Sequence, residues 1–321
     1  MKTTFFFFIF YFLINGLFAQ INNDSVYSEA EAILNTPTGD IYGTLTVANE
    51  TAITPLVLII AGSGPTDRNG NSAIGLKSDT YKMLAKELAK NGVSTLRFDK
   101  RGIGKSTSAM TAESELRFDT YINDVVDWIS LLKADERFSS ISILGHSEGS
   151  LIGMMAACKT DIAKFISIAG SGKSADKILQ EQLQTKLPPQ LLVESNRILD
   201  SLKTGKTVAD VNPILMALYR PSVQPYMISW IRLDPSKEIS RLKIPVLIIQ
   251  GSTDLQVPVD NAYLLLSSRP ESKLLIIENM NHIMKESESD QQKNFATYNN
   301  PDLPLKSGLV DEIILFMKLD K

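Results

Sequence analysis

The sequence predicts an α/β protein: a mostly parallel sheet covered by helices on both faces, with a helical insertion between two strands. Three observations predict it. Short apolar runs without alternation, such as Pro55 to Ala61, Ile141 to Leu144 and Ile244 to Gln250, read as strands buried on both faces. Helix-like amphipathic segments separate them at short intervals, as crossovers between parallel strands require. The rhythm then breaks once, from about Lys173 to Arg241, where no buried-strand run occurs.

Taken in order, Tyr27 to Leu34 and Asp40 to Ala48 read as two strands joined by the turn Thr36-Pro37-Thr38-Gly39. The Pro55 to Ala61 strand runs into Gly62-Ser63-Gly64-Pro65-Thr66-Asp67-Arg68-Asn69-Gly70-Asn71, too polar and glycine-rich for core. Tyr81 to Lys90 reads as an amphipathic helix stopped by Asn91-Gly92. Next come the strand Val93 to Phe98, the loop Asp99 to Ser106 and the helix Tyr121 to Lys133. Ile141-Ser142-Ile143-Leu144 then ends in Gly145-His146-Ser147-Glu148-Gly149, with a small-residue helix from Ser150 to Lys159. Lys164 to Ala169 is one more strand. Residues 173–241 form the insertion, marked by Pro188-Pro189, a Gly205-Lys206 turn and the aromatics Tyr219, Tyr226 and Trp230. Alternation resumes with Ile244 to Gln250, a helix near Asn261 to Ser267, the strand Lys273 to Ile277 and a closing helix, Leu309 to Leu319. The polar stretch Lys285 to Pro304 reads as a loop at the mouth of a site.

The bulk numbers set limits. The chain has 321 residues, 44% hydrophobic and 21% charged, with net charge −3, enough for one large domain with a buried core. So weak an acidic balance gives no electrostatic reason to expect nucleic acid or an anionic membrane as partner. One cysteine, Cys158, allows no internal disulfide. With two histidines besides, the residue types for a transition-metal site are lacking, and neither metal nor cofactor is expected. Lys2 followed by the apolar run Phe5 to Phe18 and Ala19-Gln20 has the charged start and small cleavage residue of a secretory signal peptide. The expected organisation is a signal peptide over 1–19, a core over 20–172 and 242–321, and the insertion over 173–241. That makes the protein an exported one, with no stable membrane insertion after cleavage.

The chemistry concentrates at Ser147. A strand, a sharp turn and a helix with serine at the apex expose the hydroxyl over a helix N-terminus, where free N–H groups favour a developing anion. Serine needs a base to take its proton, and the base needs an acid to orient it. Such groups gather past the carboxyl ends of strands. Asp254 follows the Ile244 to Gln250 strand, and His282 follows the Lys273 to Ile277 strand. The order Ser147, Asp254, His282 suits the turn. Glu278 is the alternative acid. His146 adjoins the serine and cannot easily turn back onto it, which leaves His282 as base. The oxyanion donors expected are the backbone N–H groups of Glu148 and of Ser63, or of Gly64 if the turn differs. An unpaired Glu148 carboxylate would repel an oxyanion. A cation is therefore expected beside it, Arg68 first and Arg101 second.

Gly145-His146-Ser147-Glu148-Gly149, Asp254 and His282 resemble the triad of the α/β-hydrolase superfamily. Asp99-Lys100-Arg101-Gly102-Ile103-Gly104-Lys105-Ser106 resembles its Asp-x-Arg-Gly-x-Gly-x-Ser loop. The Ala61 to Asn71 loop is similar to one in a bacterial serine-esterase group of short-chain carboxylesterases and lipase-like hydrolases. The likeness runs from about residue 40 to the end, and Ala61-Gly62 stands where that superfamily usually has His-Gly. The resemblance implies an α/β-hydrolase fold, a small-molecule ester substrate and acyl transfer to water through an acyl-enzyme on Ser147. Amide and thioester cleavage are the alternatives. A serine at the elbow sets the chain apart from dehalogenases and epoxide hydrolases of the same fold, which use aspartate there. The insertion is expected to cap the site, with its aromatics and Met216 or Met227 lining an acyl pocket.

Overall fold

A computed structural model of the chain describes residues 27–184 and 186–318. The expected signal peptide lies outside the described residues. Among the described residues are ten strands: β1 (Ser28–Thr36), β2 (Gly39–Val47), β3 (Thr54–Ile60), β4 (Asn71–Ser72), β5 (Leu76–Lys77), β6 (Ser94–Phe98), β7 (Phe138–His146), β8 (Phe165–Ile168), β9 (Val246–Gly251) and β10 (Lys273–Ile277). Eight of them form one sheet in the order β1-β2-β6-β3-β7-β8-β9-β10. The β1–β2 and β2–β6 pairs are antiparallel, and every pairing from β6 through β10 is parallel. The hairpin of β4 and β5 was not legible in the sequence, which shows only two-residue strands inside a polar loop.

The helices are α1 (Thr80–Lys90), α2 (Phe118–Lys133), α3 (Glu148–Ala157), α4 (Ala175–Gln184), α5 (Pro189–Lys203), α6 (Met216–Tyr219), α7 (Gln224–Ile231), α8 (Pro235–Ser240), α9 (Asp260–Ser268), α10 (Gln291–Ala296) and α11 (Leu309–Lys318). The unalternating apolar runs have a simple origin. In β3, Leu56, Leu58 and Ile60 face a core shared with Trp128 of α2 and Ile152 of α3. Val57 and Ile59 face the opposite core, with Leu84 of α1 and Ile313 of α11. A strand with period two and two buried faces has no polar side to show.

Among the described residues five helices, α4 to α8, lie in sequence between β8 and β9. They have a core of their own, including Ile198, Leu199, Leu215, Tyr219 and Met227. Helix α7 also belongs to the main core. There Tyr226 is buried, and Trp230 stacks on Phe118 with centroids 5.9 Å apart and planes 9° from parallel. The polar stretch after His282 is more ordered than a loop. It carries α10, and Asn294 donates to the carbonyls of Thr253 and Glu288 at 2.9 Å.

Candidate active site

Helix α3 starts two residues earlier than expected, directly at Glu148, so that Ser147 is the joint between β7 and α3. Ser147 takes φ 54 and ψ −119, a backbone that costs a non-glycine residue about 1–3 kcal/mol. The surroundings hold it there. Its N–H donates to the Ile168 carbonyl at 2.9 Å. A side chain at Gly149 would put its Cβ 2.4 Å from the Ile60 carbonyl oxygen, and one at Gly145 would meet the Gly149 oxygen at 2.3 Å. Only glycines at both positions let α3 fold back so closely on β3 and β7.

His282 and Asp254 arrive from the ends of β10 and β9. His282 Nδ1 lies 2.8 Å from Asp254 Oδ2. The carboxylate is fully engaged: Gln250 Nε2 donates to Oδ2 at 2.9 Å, and the N–H groups of Gln256 and Val257 donate to Oδ1 at 2.8 and 2.9 Å. Burial alone would raise the Asp254 carboxyl. The His282 ring and the backbone donors outweigh burial and hold it below the ordinary carboxylate value. An ionised acid on Nδ1 leaves the other ring nitrogen of His282 free to accept a proton. Ser147 and His282 line the same small cavity of about 100 Å³, together with Ser63 and Tyr81. Glu278 is exposed and accepts from Ser252 Oγ at 3.1 Å, which places it in a surface contact away from the ring.

The residues expected to supply oxyanion donors, Ser63 and Glu148, line one cavity with Ser147. Glu148 is the first residue of α3, whose N–H has no intrahelical acceptor. The loop after β3 lies against the serine, because a Cβ at Gly62 would come within 3.2 Å of Ser147 Cβ. Ser63 and Gly64 both line a second, larger cavity of about 520 Å³ that Ser147 shares. Gly64 has positive φ with open space around it.

The cation at Glu148 is not the one the sequence suggested. Arg68 is committed to Asp99, to which its backbone N–H donates at 2.8 Å and its guanidinium at 3.0 and 3.1 Å. Arg101 is committed to Asp124, with Nε and a terminal nitrogen both within 2.9 Å of that carboxylate. Lys100, between Asp99 and Arg101, turns inward instead. Its Nζ lies 2.7 Å from Glu148 Oε2, and Tyr226 of α7 donates to Glu148 Oε1 at 2.5 Å.

His146 has a place that its sequence position did not reveal. The Gly62 N–H donates to the Tyr81 hydroxyl oxygen at 3.1 Å. His146 Nε2 lies 2.8 Å from the His282 carbonyl, which can only accept, so Nε2 carries the ring proton, and Nδ1 of the neutral ring accepts from the Tyr81 hydroxyl, 2.7 Å away. One chain of hydrogen bonds thus ties the loop after β3, α1, the serine turn and the loop of His282. Burial, with His282 nearby, pushes the His146 imidazole down to about 3, so it is neutral.

Comparison with known proteins gives a family and a fold. The family model described as serine aminopeptidase, S33, matches residues 74–288, well over half of the chain. The chain belongs to this family of α/β-hydrolases. Among curated relatives it is 25% identical over 288 residues to esterase EstD of Thermotoga maritima. That alignment takes in 85% of this chain and 63% of the relative, so the chain spans under two thirds of that protein's length. It is 22% identical over 245 residues to the monoglyceride lipase of Rattus norvegicus, across 72% of this chain and 77% of the relative. Among solved structures, Est1E from Butyrivibrio proteoclasticus superposes with TM-score 0.56 at 17% identity, covering 89% of this chain and 97% of that one. The Pyrococcus furiosus esterase Pf2001 gives TM-score 0.56 at 15% identity, covering 93% and 95%. Both likenesses show the fold: a mostly parallel eight-stranded sheet with helices, as expected from the sequence.

Proposed function

We propose that the chain is a serine hydrolase of carboxylic esters, acting through Ser147, His282 and Asp254 by way of an acyl-enzyme. The observation that carries this reading is the strained Ser147 turn sharing a cavity with a histidine that Asp254 holds at 2.8 Å. In the mechanism, His282 takes the Ser147 proton as the hydroxyl attacks the ester carbonyl. The N–H groups of Ser63 and Glu148 receive the oxyanion. His282 then protonates the leaving alcohol, and water repeats the sequence in reverse on the acyl group.

The cavities support an apolar acyl group. The larger one is walled by Leu151, Leu179, Val223, Tyr226, Met227 and Trp230, so the insertion acts as its cap. Tyr219 is instead interior to the insertion, paired with Ser195 at 2.7 Å, and Met216 is exposed. An aminopeptidase needs an anion for the free amine of its substrate. Glu148, the carboxylate among the described lining residues, has both oxygens taken by Lys100 and Tyr226, which favours esters over aminoacyl amides. Export through the Lys2 to Gln20 segment belongs to the same reading, and N-terminal sequencing of secreted protein tests it.

The experiment is hydrolysis of p-nitrophenyl esters from acetate to palmitate, beside aminoacyl p-nitroanilides, by the protein and Ser147→Ala. Ester turnover that vanishes in the variant supports the reading. Amide turnover exceeding that on the matched ester overturns the substrate class.

A further inference from the structure

The Lys100 ammonium is buried, with its side chain 3% exposed, and makes two contacts of equal length: 2.7 Å to the Gly62 carbonyl and 2.7 Å to Glu148 Oε2. Its remaining face looks onto the Tyr121 ring, 5.0 Å from the centroid. Neutralising Glu148 needs only the second contact. The first falls on the peptide that carries the Ser63 N–H.

A trans peptide points its C=O and its N–H in opposite directions, and no cis peptide occurs among the described residues. Fixing the Gly62 carbonyl on Lys100 therefore fixes the Ser63 N–H on the far side of the same plane. Ser63 borders both cavities beside Ser147. The preceding peptide is fixed as well, since the Gly62 N–H is held by Tyr81. A glycine turn that would otherwise flip freely is clamped on both sides. The second donor belongs to Glu148, whose carboxylate the same ammonium neutralises.

We propose that Lys100 is the positioning residue of the oxyanion hole, setting the Ser63 and Glu148 N–H groups toward one point through a single ammonium. The proposal rests on the ester-hydrolase reading above. It separates two roles that a charge-neutralising lysine would merge, because only orientation requires the bond to the Gly62 carbonyl.

The test compares Glu148→Gln with the double variant Lys100→Met/Glu148→Gln, neither of which leaves an unpaired buried carboxylate. Glu148→Gln keeps the ammonium on the Gly62 carbonyl. Losing one oxyanion donor costs ~10²–10³ in turnover. The double variant is therefore expected to fall on the order of 10²-fold below Glu148→Gln in kcat, with KM changed less than about threefold. A trifluoromethyl ketone of matching acyl chain should lose affinity by the same factor, because it binds as the tetrahedral adduct. Melting curves check folding. If the double variant does not fold, Lys100→Gln/Glu148→Gln replaces it, and a fall of about tenfold is then expected because one N–H donor is restored. Equal kcat and equal ketone affinity in the two variants, with Ser147→Ala inactive, would overturn the role of Lys100 alone. Turnover retained by Ser147→Ala would overturn the hydrolase mechanism, and this assignment with it.

Discussion

His146 makes the fold acid-sensitive in a window that can be worked out from the structure. Its imidazole is held down to about 3 by burial and by His282, against 6.5 for an ordinary histidine. Between those values the unfolded chain binds a proton that the native state refuses. Stability therefore rises with pH across the window, is fully present above about 6.5, and is lost as pH falls toward 3. The slope is about 1.4 kcal/mol per pH unit, so lowering pH from 6.5 to 4.5 costs about 3 kcal/mol. Such a loss is a large fraction of the ~5–15 kcal/mol that holds a typical protein together. The groups facing the ring are the Tyr81 hydroxyl, His282 at 4.7 Å between centroids, and Asp254 behind it. Asp254, itself lowered, contributes stability lost only below the ordinary carboxylate range, so it leaves the upper window clear. Urea unfolding at steps between pH 7 and 4.5 is the assay, with His146→Gln as the reference. Glutamine offers a donor and an acceptor but no titrating ring. The wild type should lose stability with the stated slope and the variant should be nearly flat. Parallel curves would refute the buried neutral histidine.

Three other outcomes follow from distances already given. Tyr81→Phe strands the Gly62 N–H and His146 Nδ1 together, at about 1–3 kcal/mol each, and should lower Tm by roughly 4–24 °C at 2–4 °C per kcal/mol; an unchanged calorimetric Tm would sink the hydrogen-bond chain. Gly149→Ala drives a Cβ to 2.4 Å from the Ile60 oxygen, and should cost about 1–3 kcal/mol or more by overpacking, read in denaturant unfolding. Asp254→Asn has one acceptor oxygen where Asp254 uses two: with that oxygen turned to His282 Nδ1 and Gln250, its amide nitrogen faces the N–H groups of Gln256 and Val257, and the reverse orientation turns an N–H donor on His282. Its kcat should fall by about 10⁴, the order that the wrong histidine tautomer costs a Ser-His-Asp triad, with folding intact; a loss under tenfold would remove Asp254 from the mechanism.

The sheet was legible because its strands have two apolar faces, which leaves runs such as Leu56 to Ile60 with no other explanation. The serine turn was legible for a steric reason. Gly145 and Gly149 are both required where α3 crosses β3 and β7, so the chemistry is written in the residues that carry no side chain. Asp254 and His282 were legible by position, each just past a strand end. Helix α10 and the β4–β5 hairpin were not. They are short and polar, and tertiary bonds such as those of Asn294 replace the missing apolar pattern.

Charge pairing was the part that sequence could not order. Asp99, Lys100 and Arg101 are consecutive, and the sequence pointed to Arg68 and Arg101 for the Glu148 carboxylate but not to Lys100. The backbone decides among them. Asp99 is 2% exposed and its Oδ2 also accepts from the Lys105 N–H at 3.0 Å, so it needs a forked partner, and Arg68 supplies one. Buried Asp124 takes Arg101 in the same way, with its carboxyl nevertheless raised by burial. Lys100 is left for a site with one carboxylate oxygen and one carbonyl, geometry that suits a compact ammonium better than a planar fork. The arginines brace the loops, and the lysine reaches Glu148 and Gly62 on either side of it. The direction of a side chain at the end of β6, more than its charge, decides which cation meets Glu148.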